Sequence, residues 1–111
     1  MANFFKSNTF DLTTTNVTIV LSVNTSSVAI VKTVQAVHDT ASNVDADLFL
    51  TKNGASAVQI GHAQLNKSTA NLLVDTLNLE AGDAISVQAS SANVVSGAVT
   101  YMLIDRSQEN G

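Results

Sequence analysis

The sequence contains no cysteine, no proline and no tryptophan. Without cysteine there can be no disulfide, no thiolate nucleophile and no thiolate metal site, and the chain suits a reducing compartment. Without proline, exposed strand edges must be guarded by other devices, such as Lys52, Lys67, glycines or contacts between subunits. Charge is scarce as well: 13 % of residues are charged, and five Lys plus Arg against nine Asp plus Glu leave a net charge of -4. The lysines are scattered, which disfavours nucleic-acid binding, because phosphate contacts need a basic patch. No apolar run reaches the roughly 18 residues of a membrane span. Neither a nucleic acid nor a membrane is expected as a partner. Met1-Ala2-Asn3-Phe4-Phe5-Lys6 lacks both a basic n-region and a long apolar h-region, so a secretory signal is not expected. The triplets that begin at Asn16, Asn24 and Asn66 read as strand-end residues rather than glycosylation sites.

What is present is β-prone. Hydrophobic residues make up 45 % of the 111 residues, enough for one domain to bury a single core without staples. Val17, Ile19, Leu21 and Val23 alternate with polar or smaller residues, the period of a half-buried strand. Val28 to Thr40 is the longest β-prone run; its even face carries Val28, Ile30, Val34 and Ala36, with Lys32 as the exception. Ala46, Leu48 and Leu50 share a face, then Lys52-Asn53-Gly54 gives a hairpin signal before a return strand from Ala57 to Leu65. Leu72 to Ser91 reads as a second hairpin, with Leu77 and Leu79 before the turn and Ile85, Val87 and Ala89 after it. Gly82 supplies the positive φ of that turn and Asp83 bonds back to its backbone. Val95, Val99, Tyr101 and Leu103 line one face of a closing strand. A helix over Ala63 to Val74 is disfavoured by Asn66, Ser68, Thr69 and Asn71.

The expected fold is all-β, an antiparallel β-sandwich of about eight strands, jelly-roll or Ig-like. Residues 1–7 are expected as an arm, 8–105 as the sandwich and 106–111 as a polar tail. The expected core combines Val17, Leu21, Val23, Ile30, Val34, Leu48, Leu50, Ile85, Val87, Val99, Tyr101 and Leu103. Asn53, Gly54, Gly82 and Asp83 are the turn-critical residues.

Catalytic chemistry is poorly supplied. His38 and His62 are the two histidines, and neither has a nucleophile or substrate group placed beside it by sequence; both read as structural or surface residues. Asp39, Asp45 and Asp47 form a loose acidic group, and two aspartates two positions apart furnish only part of a calcium shell. A solvated acidic face is the simpler reading. No catalytic, cofactor-binding or metal-binding residue is assigned, and an enzyme is not expected. Phe4, Phe5 and Lys6 are the candidate assembly contacts, because an apolar pair on a polar arm seldom stays exposed in a monomer.

The opening threonine-rich segment Thr13 to Thr18, SVAIVKTVQAVHD, LTKNGASAVQIG and the closing LNLEAGDAISVQASSANVVSGAVTYMLI together resemble small β-sandwich virion proteins of tailed bacteriophages, especially marine cyanophage-like and pelagiphage-like viruses. The likeness runs over nearly the whole chain, and its most specific part is Leu79-Glu80-Ala81-Gly82-Asp83 with Ile85 and Val87. One departure is Val23-Asn24-Thr25-Ser26-Ser27, where similar chains often carry proline. The resemblance implies a non-enzymatic virion structural protein, a capsid decoration or cement protein made in the host cytoplasm. Its implied partners are further copies of itself, a trimer first, and the major capsid protein or other virion proteins. The alternatives are a tail, neck or fibre-associated component, or a sugar-binding module for host attachment that uses Asn43, Asp45 and Asp47.

Overall fold

The computed structural model describes residues 2–38, 40, 43–65, 71–74 and 76–105. Among them lie nine strands: β1 (Ala2–Leu12), β2 (Thr18–Ser22), β3 (Ser27–His38), β4 (Val44–Thr51), β5 (Ala57–Leu65), β6 (Asn71–Val74), β7 (Leu77–Leu79), β8 (Ala84–Ala89) and β9 (Val95–Asp105). They form two antiparallel sheets. Sheet A has the order β1-β9-β3-β6, with β7 also on β3, and sheet B has the order β2-β8-β4-β5. β6 pairs with Val34 to Ala36 and β7 with Ala29 to Val31, so the two follow one another along the same edge of β3 as a single interrupted strand. With that pair counted once, the order is first-eighth-third-sixth over second-seventh-fourth-fifth, which is a jelly roll. The Ig-like alternative is thereby set aside.

Every link between successive strands crosses from one sheet to the other, apart from the β4–β5 hairpin and the β6–β7 continuation. This corrects the reading of Leu72 to Ser91. β7 pairs with β3 and β8 pairs with β2 and β4, so Glu80 to Asp83 is a corner between sheets and not a hairpin turn. Two alternating runs joined by a turn look the same in sequence whether they pair with each other or face each other across a core.

The inner faces meet in a core in which Leu12, Val31, Val34, Val44, Leu48, Ile85, Val87 and Val99 are fully buried. Two bulges alter the expected register. In β2 the pairing shifts between Ile19 and Leu21, so Val20 and Leu21 both turn inward while Ile19, 65 % exposed, and Val17, 46 % exposed, face solvent. In β3 the shift lies between Val31 and Thr33. Odd residues Ala29 and Val31 point inward before it and even residues Val34 and Ala36 after it, which leaves Ile30 on the outer side and Lys32 exposed at the bulge. Of the remaining expected core, Leu21, Val23, Tyr101 and the residues already named are buried, and Leu50 and Leu103 pack half-buried against them.

The expected arm is strand. Residues 2–7 are the first half of β1 and pair with β9 from Asp105 to Thr100. Residues 106–111, expected as a tail, lie outside the described residues.

Two measurements check this architecture. Leu48→Ala is expected to cost about 2–4 kcal/mol in urea denaturation, since Leu48 is wholly buried between sheets. Deletion of residues 1–7 is expected to lower the thermal midpoint, because it unpairs one edge of half of β9. An unchanged midpoint would show that this half of β1 adds nothing to the sandwich.

Candidate functional site

Three loops meet at one end of the sandwich, around the carboxylate of Asp83. The side chain is 1 % exposed. Its Oδ2 accepts from Lys52 Nζ at 2.7 Å and from the Glu80 N–H at 2.9 Å, and its Oδ1 accepts from the Asn53 N–H at 3.1 Å. Lys52 also pairs with Glu80 at the surface. The Asp83 N–H closes the corner onto the Glu80 carbonyl at 3.1 Å, and the Val23 N–H donates to the Asp83 carbonyl at 2.9 Å. One carboxylate thus joins the β7–β8 corner to the β4–β5 hairpin, while its backbone holds the end of β2. Burial alone would raise the Asp83 pKa. The bond and charge of Lys52 and the two backbone donors outweigh it and hold the carboxyl below its ordinary value. The same contacts, that to Asp83 first and that to Glu80 second, raise the Lys52 pKa.

All four turn-critical residues lie in this cluster. Gly82 has φ +83°, and a Cβ on it would come within 2.5 Å of the Asn53 side chain. Gly54 has φ +79° with open space around it. The Ala55 N–H donates to the Lys52 carbonyl at 2.9 Å, with positive φ at Gly54 and not at Asn53, so the hairpin tip has the geometry of a type II turn and not the two-residue Asn-Gly turn. An open cavity of about 430 Å³ beside the cluster is lined by Val28, Lys52, Asn53, Glu80, Ala81 and Asp83.

At the opposite end His38 is buried. Its Nε2–H donates to the Leu65 carbonyl at 3.0 Å and its Nδ1 accepts the Thr40 N–H at 3.3 Å, which ties β3 of sheet A to β5 of sheet B. It is a structural histidine, as the sequence suggests. His62 is exposed on the outer face of sheet B and donates Nδ1–H to Asp47 Oδ1 at 2.5 Å, its cross-strand neighbour. That bond, with the charges of Asp47 and Asp45, raises the His62 pKa against a smaller lowering by desolvation. Asp45 and Asp47 stand in β4 and not in a loop, beside a cavity of about 360 Å³ that also touches Gln88 and Ser90. Asp39 lies outside the described residues. Among the described residues no three His, Cys, Asp or Glu side chains group as metal ligands would.

The outer face of sheet A differs in character. Its rungs place Phe5 beside Met102 and Ile30, and Ile104 beside Val28. The next rungs are Ser7-Thr100-Thr33 and Thr9-Ala98-Gln35. Phe5 is 81 % exposed here. Phe4 and Lys6 leave β1 on the opposite side, where Phe4 is 44 % exposed and the Lys6 ammonium sits 5.6 Å from its ring centroid. The candidate assembly contacts therefore split between two sides of one sheet and do not form a single anchor. This sparsely charged outer face escapes a search for motifs, yet its signal is in the sequence: alternate residues of β1 and β9, from Phe5 to Thr9 and from Ser96 to Ile104, carry no charge.

Asp83 makes stability pH-dependent with a definite sign. A carboxyl whose folded pKa is depressed stabilises the fold fully above its unfolded pKa of about 3.9, and that contribution is lost as pH falls through the folded value. Urea midpoints across the acid range are expected to fall less steeply for Asp83→Asn, which is also less stable at neutral pH. Of the two glycines, Gly54→Ala is expected to cost about 1–2 kcal/mol for the left-handed backbone, and Gly82→Ala distinctly more. Equal losses would show that Asn53 moves aside freely.

No protein-family model matches the chain, and no curated protein matches it. Among solved structures, a chain of the acid-stable capsid of Helicobacter pylori bacteriophage KHP30 aligns with a TM-score of 0.60 at 9 % identity, over 96 % of this chain and 90 % of that one. A chain of the Bacillus endospore appendages, a family of disulfide-linked pili, aligns with a TM-score of 0.54 at 9 % identity, over 94 % of this chain and 88 % of that one. A chain of infectious bursal disease virus, Gx strain, gives 0.54 at 9 % identity over 98 % of this chain, which spans only 32 % of that larger one. What these chains share with the present one, at such identities, is the jelly-roll fold.

Proposed function

We propose that the chain is a non-enzymatic structural protein of a virion, an accessory component present in many copies on the capsid, of the decoration or cement kind. The observation that carries this reading is the jelly roll that fills the described chain from β1 to β9 and aligns nearly end to end with a chain of a bacteriophage capsid. Sheet faces and strand edges are what such a molecule works with. Among the described residues, β1 and β5 each have a strand neighbour on one side alone within their sheets, so each offers an edge to another surface. A subunit of this kind stabilises a shell by mass action, since it binds the assembled surface and not its unfolded parts. Lacking cysteine, it would do so without disulfide links. The expected trimer is drawn from unguarded strand edges and from threefold capsid positions, with the arm as an added anchor; with residues 2–7 held in β1, self-association falls to the faces and edges of the sheets.

The likeness to the appendage chain favours a second reading, a component of the tail, neck or fibre. Copy number separates the two. Quantitative mass spectrometry of purified particles is expected to find this chain at hundreds of copies per particle. A dozen or fewer would overturn decoration and favour the tail or neck, and absence from purified particles would overturn both.

A further inference from the structure

We propose that the outer face of sheet A is a self-association surface on which a second copy of this chain stacks, face to face, in a twofold dimer. The inference rests on the reading of the chain as an assembly component, but concerns the isolated molecule. Three observations carry it. The first is composition: Phe5, Met102, Ile30, Ile104 and Val28 are contiguous across β1, β9 and β3, and Ser7, Thr100 and Thr33 continue the same face without charge. A contiguous, half-buried apolar patch of this kind, bordered at its β1 edge by an aromatic ring that is 81 % exposed, suits an interaction surface.

The second is charge. The chain is acidic, at -4, and two copies must meet where like charges are not opposed. The outer face of sheet B carries Asp45 and the Asp47–His62 pair, charges that a contact between two copies there would have to strip of water. On the outer side of sheet A, among the described residues of β1, β3 and β9, the charges are Asp11 at the far end and Lys32 at the bulge, of opposite sign. A twofold contact places the same patch on both copies, so a neutral face is complementary to itself.

The third is size. The rungs from Asn3 to Asp11 run about 27 Å, and four strand positions span about 19 Å, at the usual strand spacings. This gives a projected area on the order of 510 Å² per copy, which side-chain relief raises toward the roughly 800 Å² per partner of a standard interface. Threonines and serines keep the face shallow enough for a second sheet to lie about 10 Å away, the distance at which stacked sheets pack.

Sedimentation velocity over a concentration series tests the proposal on the purified chain. The wild type is expected to pass from monomer to dimer with rising concentration. Phe5→Glu and Thr100→Glu are each expected to weaken the dimer at least about tenfold while the circular dichroism spectrum and thermal midpoint stay near those of the wild type. Gln64→Glu, the same charge change at an exposed position of β5 in sheet B, is expected to leave it unaltered. If Thr100→Glu fails to fold, Phe5→Glu decides, since that side chain stands mostly in solvent. A wild type that stays monomeric throughout overturns the proposal, whatever else is later found on the face. So does a dimer that persists unchanged in Phe5→Glu, or one weakened equally by Gln64→Glu. Because copy number in particles is measured separately, a monomeric chain found at hundreds of copies would overturn this face and leave the virion reading standing.

Discussion

The buried carboxylate of Asp83 is the contact on which the end of the sandwich depends. A charge removed from water is costly unless it is paired and hydrogen-bonded, and removing one partner of such a group leaves the other stranded. Here each oxygen is occupied: Lys52 and the Glu80 N–H at Oδ2, the Asn53 N–H at Oδ1. The donors come from two different loops, so the carboxylate is satisfied only when the corner and the hairpin are both in their native places. This makes it a specifier of geometry more than a source of energy. His38 does the analogous task at the other end with a neutral donor, joining β3 to the last residue of β5.

Between these two ends the core needs no special chemistry. Valine, leucine, isoleucine and alanine fill it from both sheets, and the two bulges decide which of them are used. In β3, Lys32 at the shift lets the strand offer odd residues to the core at one end and even residues at the other. Ile30 is thereby turned outward beside Met102 and Phe5. The apolar outer patch of sheet A is thus partly a product of the bulge: an unbroken even register would have buried Ile30.

How much was legible in the sequence follows from the same features. Period-two alternation located the strands within a residue or two at β2, β4 and β5, and Gly54 and Gly82 marked both turns. Alternation reports which residues share a face and not which sheet the strand joins. Leu77-Asn78-Leu79 and Ile85 to Ala89 therefore looked like partners, although their sheets oppose each other. A bulge adds one residue without a compositional mark, so Val17 is expected in the core, and its alternation with Ile19, Leu21 and Val23 does not show that it and Ile19 face solvent. Phe4 to Lys6 read as an arm because β1 is an edge strand with polar residues on both sides, and an edge half-exposed on both faces carries little periodic signal. The uses of Lys52 and of the Asp47-His62 pair were hidden because their partners lie 31 and 15 positions away.

The place of β1 has a consequence for how the molecule comes into being. Residues 2–12 pair with residues 95–105 and, among the described residues, with no other strand, so this strand has no sheet to join until nearly the whole described chain has been made. At about 5–20 residues per second of synthesis, the Phe4-Phe5 segment waits several seconds with its backbone unpaired. Pairings between distant residues are slow to form because loop closure comes before any reward. A chain interrupted before residue 95 would lack β9 and leave β1 loose, together with the middle of sheet A. Only chains translated past that point can present a finished outer face of sheet A.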